Sequence, residues 1–154
     1  MRCISHAHDL RKGRYSVAGQ IYLVTTATHG RHPLFEDLYS GREVVKELHT
    51  SEREGSASTL AYVVMPDHLH WLFAPVGDKS LSQVVADAKR RSAWLINEIT
   101  GQTGRPVWQH GFHDRALRRE ESSRDAARYV VANPLRAGLV QTIGDYSLWD
   151  AVWV

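Results

Sequence analysis

Cysteine is almost absent from this chain: Cys3 is the single one in 154 residues. One thiol cannot close an internal disulfide, so nothing points to an oxidising compartment. No run of 18 or more apolar residues occurs, and a membrane-spanning helix is not expected. The opening residues, Met-Arg-Cys-Ile-Ser-His-Ala-His-Asp, contain no apolar stretch. A signal peptide is therefore not read, and the expected location is cytoplasmic. Internal repeats and low-complexity segments are missing as well, which sets aside solenoids and compositionally disordered tracts. What remains is ordinary for a globular protein: 43% apolar and 23% charged residues, enough for one domain, residues 1–154, around one core.

Acidic residues are scarce in one part of the chain. Residues 89–136 hold ten of the 19 Lys and Arg but only five of the 17 Asp and Glu, so that segment carries +5 and the rest −3. Nine of those ten cations are Arg, whose planar guanidinium forks onto phosphate oxygens. A polyanionic partner such as nucleic acid is one explanation, and a solvated helix face is the other.

Residues 1–19 are polar and read as an irregular arm. Residues 20–28, Gln-Ile-Tyr-Leu-Val-Thr-Thr-Ala-Thr, are β-branched and aromatic and read as a strand that stops at Gly30 and Pro33. Ser40 and Glu43 have the spacing of a capping box, opening a helix striped by Val44, Val45 and Leu48. Two apolar runs then meet at Met65-Pro66-Asp67, the pattern of a hairpin. After Ser80, the residues Leu81, Val84, Val85, Ala88, Ser92, Leu95, Ile96 and Ile99 recur at three and four, as in a long helix. Gly and Pro within residues 101–106 break it. Residues 107–114 read as a loop or ragged strand and 115–118 as a short strand. Ser122 and Ser123 start a last helix with Asp125 in its first turn, and Pro134 ends or interrupts it. The aromatic tail, residues 146–154, is expected to pack on the core. This order spells the ferredoxin-like βαββαβ pattern: an α+β fold with an antiparallel sheet, helices on one face, and an added C-terminal helix free to lie near the other. In this reading the hairpin's second strand is an edge-side strand beside the first.

His68 and His70 stand two apart in that second run. Strand side chains alternate, so both imidazoles face one way, roughly 6.5–7 Å apart along the strand. That spacing lets two ring nitrogens close on one metal ion, while a pair of core histidines is the plainer alternative.

Met65-Pro-Asp-His-Leu-His-Trp, together with Arg128-Tyr-Val-Val-Ala-Asn-Pro-Leu-Arg-Ala-Gly-Leu-Val140, resembles the REP-associated tyrosine transposases. These are single-tyrosine HUH transposases of the IS200-like group, named for two histidines around a large apolar residue, here Leu69. The segment Trp108-Gln-His-Gly-Phe-His-Asp114 is also similar, and the likeness covers roughly residues 15–150. The resemblance implies the fold already read from the pattern. It makes His68 and His70 the metal-binding pair, Tyr129 the nucleophile, and Asn133, four residues later, the third metal ligand. It implies cleavage and rejoining of single-stranded DNA at hairpin (REP-like) sites through a 5′-phosphotyrosine intermediate, in the cytoplasm and on the nucleoid. Relatives act as homodimers that exchange tyrosine helices or as monomers.

Physical chemistry fits this set. A phenol with a pKa of about 10 is a poor nucleophile at neutral pH, and a divalent ion polarising the phosphate compensates. Two imidazoles and one amide leave coordination positions open, which suits Mg²⁺ or Mn²⁺ more than a closed zinc site. Arg90, Arg91, Arg118, Arg119 and Arg128 are the expected DNA contacts. His110, His113 and Asp114 are weaker candidates for metal or DNA. Asp67 is expected to serve the turn, and Trp71 and Trp108 the core. Two other functions remain open: a nucleic-acid-binding module that does not cut, and a phosphodiesterase that uses water, with Tyr129 incidental.

Overall fold

The computed structural model describes residues 19–118 and 121–153. The N-terminal arm up to residue 18 and Arg119 therefore lie outside the described residues. Five strands form one sheet: β1 (Tyr22–Ala27), β2 (Ala57–Met65), β3 (His68–Pro75), β4 (His113–Ala116) and β5 (Trp149–Ala151). Their spatial order is β4-β1-β3-β2-β5, and every neighbouring pair is antiparallel. Among the described residues four α-helices accompany it: α1 (Leu38–Arg53), α2 (Leu81–Thr100), α3 (Ser123–Val131) and the single turn α4 (Asn133–Arg136). This is the expected βαββαβ core, extended by β5.

The hairpin forms as expected, with Met65 opposite His68 and Pro66-Asp67 as its two-residue turn. Its second strand is not edge-side, however. β3 pairs with β1 on one side and β2 on the other, which makes it the centre of the sheet. The split βαβ arrangement requires this: α1 carries the chain from β1 over to β2 and leaves a one-strand gap that β3 fills.

Alternation along β3 separates two cores. Leu69, Trp71 and Phe73 join Val24, Val64, Val44, Leu48, Val84, Val85 and Ile96 under α1 and α2. Leu72 faces the other way and meets Ala61, Val63, Met65, Ala127, Val130 and Val131 beneath α3. Residues 61–65 of β2 are therefore buried on both faces, and each such Val contributes roughly 1.5–3 kcal/mol by leaving water. The molecule has three layers over β2 and β3, and α3 covers the face that carries His68 and His70.

Three boundaries differ from the sequence reading. Asp37, not Ser40, caps α1: its carboxylate accepts from the Tyr39 backbone N–H at 3.3 Å and from the Ser40 hydroxyl at 2.8 Å. An acid at that position also suits the positive end of the helix dipole, and Ser40 falls inside the first turn. β4 starts two residues early, at His113, because Thr25 supplies its partner there. The tail does not merely pack on the core: Trp149, Asp150 and Ala151 pair with Val63, Tyr62 and Ala61 and close the outer edge of β2. At α2 the expected start after Ser80 and break at Gly101 (φ 66) hold, and the structure adds a reciprocal capping box between Ser80 and Gln83.

Candidate metal and nucleophile site

The histidine pair is built by cross-strand register. On β1, Ala27 faces His68 and Thr25 faces His70. The Thr25 hydroxyl lies 2.9 Å from His70 Nδ1. Asp67 Oδ1, in the hairpin turn, lies 2.7 Å from His68 Nδ1. A carboxylate can only accept, so the bond to Asp67 puts the His68 proton on Nδ1 and leaves the Nε2 lone pair free. The two Nε2 atoms then point at each other, 3.1 Å apart. Two nitrogens bound at about 2.1 Å to one ion stand about 3.0 Å apart at a right angle and about 3.4 Å apart at a tetrahedral angle. The observed 3.1 Å is a hydrogen-bond distance between the two rings and is close to the separation that two adjacent corners of an octahedral ion would require.

Charges around the pair are arranged on that scale. Burial pushes the His70 imidazole down to about 4, and the charges of His68, Arg136 and Arg31 push in the same direction. Its ring is neutral at ordinary pH, the form that has a lone pair to give. Partial burial raises the Asp67 carboxyl, but the hydrogen bond from His68 and the charge of Arg31 outweigh it and hold Asp67 below the usual carboxylate range. Arg31 Nε sits 3.1 Å from Asp67 Oδ2. It reaches there from a left-handed backbone (φ 56), an uncommon conformation for a side chain other than Gly or Asn.

Among the described residues, no group of three or more His, Cys, Asp and Glu side chains gathers at one point. Asn133, the expected third ligand, lies where α3 gives way to α4. Its Nδ2 donates to the Val130 carbonyl at 2.8 Å, so Oδ1 is the end of the amide left for a cation. Pro134 does not break the chain's helical course: α3 pauses at Ala132, which keeps helical angles, and resumes as α4.

Tyr129 lies on the outer side of α3 and is 60% exposed. The Arg136 guanidinium carbon stands 3.8 Å over the ring centroid, a cation–π contact. Arg136 thus touches the tyrosine while its charge acts on His70.

The arginines divide. Arg91 is engaged inside the fold: its Nε meets Glu47 at 2.7 Å, and its amino groups reach Glu54 and Ser51, tying α2 to α1. Arg90 and Arg128 are exposed and held only by neighbouring acids, Asp87 and Asp125, and Arg118 is exposed. His113 is opposite Thr25 on β4, so it shares the His70 face, one strand further out. Alternation places Asp114 on the opposite face, away from the pair. Trp71 is buried and bonds Thr59 at 2.9 Å, while Trp108 bonds Ser92 at 3.0 Å and leans on Phe35.

Sequence reasoning passed over Thr25, Arg31 and Arg136 and gave Asp67 only to the turn. Thr25 is 45 residues from His70, and no local pattern announces a cross-strand partner. Arg136 did leave a signal: it stands seven residues after Tyr129, two helical turns, on the same side of a helix.

Comparison with known proteins gives a consistent result. Residues 16–133 match the family described as Transposase IS200 like. A REP-associated tyrosine transposase of Escherichia coli (strain K12) is 28% identical over 88 residues, which is 56% of this chain. The aligned region is 49% of that relative, so the chain spans about half its length. The solved structure of a REP-associated tyrosine transposase bound to a REP hairpin superposes with a TM-score of 0.70 at 23% identity, covering 88% of this chain and 79% of that one. A Deinococcus radiodurans protein described as a transposase superposes with a TM-score of 0.56 at 19% identity, covering 79% of this chain and 95% of its own. At these identities the structures speak for the fold, and the family match speaks for descent. With more than half of its length matched, the chain belongs to the IS200-like transposase family.

Proposed function

We propose that this protein cuts and rejoins single-stranded DNA at hairpin-bearing sites, with Tyr129 as nucleophile and a divalent ion, Mg²⁺ or Mn²⁺, held by His68, His70 and Asn133. The observation that carries this reading is the 3.1 Å convergence of two ring nitrogens on the sheet face that the tyrosine helix covers. When bound, such an ion would draw off charge that builds on the phosphate oxygens. This chain's residues do the rest. Thr25 and Asp67 hold the rings so that both lone pairs converge. In this reading Asn133 would complete the set with Oδ1, the end of its amide not bonded to the Val130 carbonyl. Arg136 braces the Tyr129 ring, and Arg31 and Arg136 supply positive charge near the phosphate. Tyr129 Oη forms a bond to phosphorus as the P–O3′ bond breaks. The phenol proton passes to solvent and O3′ takes one up, leaving a 5′-phosphotyrosine and a free 3′-OH. Because a phosphodiester replaces a phosphodiester, a 3′-OH can reverse the step without an external energy source.

Arg90, Arg118, Arg119 and Arg128 are the proposed DNA contacts in this reading. Arg91 is the weakest of the original five, given its engagement with Glu47. The test is a denaturing gel of hairpin DNA with a labelled single-stranded flank, incubated with Mg²⁺ or Mn²⁺. A covalent adduct is expected from the wild type and none from Tyr129→Phe, which should still shift the hairpin on a native gel. Cleavage without an adduct would replace the tyrosine mechanism with hydrolysis. Binding without cleavage would leave only a DNA-binding module.

A further inference from the structure

A groove of about 790 Å³ runs between α2 and the loop that follows it, away from the histidine pair. That volume is within the about 300–1,000 Å³ of sites that take drug-sized ligands. Its apolar surface comes from Val85, Ala93, Pro106, Val107, Trp108 and Phe112, and its rim carries Arg90, Arg105, His29 and His110. Among the described residues that line it, none is Asp or Glu. The loop wall is held in place from two sides. Lys89 Nζ lies 2.7 Å from the carbonyls of both Gln109 and Gly111. The His29 N–H donates to Val107, and the Gln109 N–H donates to Ala27. The loop wall is therefore fixed by the fold's own hydrogen bonds.

Its position ties it to the site. Ala27, which anchors the loop at Gln109, is also the cross-strand partner of His68. Thr28, next in sequence and paired with Trp108, donates to the carbonyl of Asp67. Val85, Val107 and Phe112 of the groove belong to the core on the other face of the sheet, so what the two places share is the Ala27–Thr28 segment at the end of β1.

We propose that the groove binds one or two unpaired nucleotides of the DNA, with a base on the apolar floor and phosphate on Arg90 and Arg105. The inference rests on the DNA-cutting reading for its choice of polymer, but its chemistry is independent. An apolar floor with aromatic edges under a rim of cations matches what unpaired nucleotides present: a flat π-face on an anionic backbone. A paired stem hides its base faces in the stack and does not fit. An acidic peptide would match the rim but not the floor.

Two groove variants test this. Ala86→Trp fills the groove from an exposed position on α2, and Arg105→Glu reverses a rim charge. Both are made in the Tyr129→Phe background so that DNA stays intact. Fluorescence anisotropy is read with a labelled single-stranded octanucleotide and with a blunt, fully paired hairpin. Each variant should bind the octanucleotide about tenfold more weakly, the loss expected when a stacked base is displaced, and the blunt hairpin within twofold of the parent. Circular dichroism identifies any variant that misfolds, in which case Ser82→Trp replaces it from the next exposed lining position. Unchanged octanucleotide binding, or equal loss for both DNAs, overturns the proposal. So does displacement of the octanucleotide by an oligo-glutamate peptide at the same concentration as by unlabelled octanucleotide. The adduct gel on wild type separates the two readings: no adduct with the selective loss intact removes the cutting, and adduct without selective loss removes the groove.

Discussion

Replacing Asp67 by Asn tests whether the hairpin turn also sets the chemistry of the metal site. The substitution keeps the side chain's size and leaves an oxygen that can accept from His68 Nδ1. It removes the charge, which now sits 2.7 Å from that nitrogen and 3.1 Å from Arg31. Three effects can be sized. The ion pair with Arg31 has a cation 55% exposed, so its loss costs at most about 1 kcal/mol. Turning a charge-assisted hydrogen bond into a neutral one forfeits about half its strength, again about 1 kcal/mol. The amide can also present its NH₂ group to His68, which would move the proton to Nε2 and remove one ligand lone pair. Partners behind metal-bound imidazoles are worth about 10–100-fold in affinity. The expected result is thus Mn²⁺ binding weakened by at least about tenfold, which is about 1.4 kcal/mol, with a loss of stability in urea of no more than the about 2 kcal/mol that the ion pair and the hydrogen bond together supply. Binding is read by Mn²⁺ electron paramagnetic resonance or calorimetry without DNA, so catalysis does not enter. Mn²⁺ affinity within twofold of wild type would refute the reasoning and return Asp67 to a turn residue. A large loss of stability with it would mean that the His68–Asp67–Arg31 chain is structural.

Other outcomes follow from the same contacts. Arg91→Ala leaves Glu47, 6% exposed, without its partner and should cost about 3 kcal/mol or more, whereas Arg90→Ala should change the urea midpoint little; equal effects, or a loss of DNA binding alone in Arg91→Ala, would reverse that division. The Tyr146 hydroxyl donates to the Val64 carbonyl and burial pushes the phenol up to about 12. The unfolded chain gives up that proton near its ordinary pKa of about 10, so between there and about 12 the folded state binds one more proton and stability falls with rising pH, at about 1.4 kcal/mol per pH unit for this group. Tyr146→Phe should be less stable than wild type at pH 8, and the gap should close as urea titrations are carried from pH 10 to 12; a constant gap contradicts it. Because α3 packs on its own chain's Val63, Met65 and Leu72, mixing Tyr129→Phe with His68→Ala should restore no adduct; recovery would mean that tyrosine helices are exchanged between subunits.

Much of the fold was legible because its signals are local. The two apolar runs hinged at Met65-Pro66-Asp67 and the three-and-four recurrence after Ser80 each declare themselves within a few residues. The place of β3 did not, because strand order depends on which edge a crossover returns to. β5 was also hidden: three residues of an aromatic tail are too short for a period, and only the free edge of β2 makes them a strand. For the proposed site, His68, His70, Tyr129 and Asn133 were reached through two motifs. Thr25, Arg31 and the second role of Asp67 depend on contacts across the sheet or on a left-handed turn. The arginines show the limit of composition: net charge counted Arg91 with the others, although it is bonded to Glu47 and Glu54.

The central position of β3 has a consequence for how the protein breathes. His68 and His70 sit on the strand whose backbone is laddered on both sides, so freeing either residue's main chain means parting β1 or β2 from the middle of the sheet. Such openings lie near the top of a protein's ladder of local unfolding energies. Tyr129 stands instead on a nine-residue helix at the surface, followed by a pause at Ala132 and a single further turn. Fraying of that kind is far less costly. The two parts of the proposed site therefore rest on elements of different local stability. The backbone that carries the imidazoles opens only with the middle of the sheet, whereas the helix that carries the phenol is released once its own packing on Val63, Met65 and Leu72 is undone.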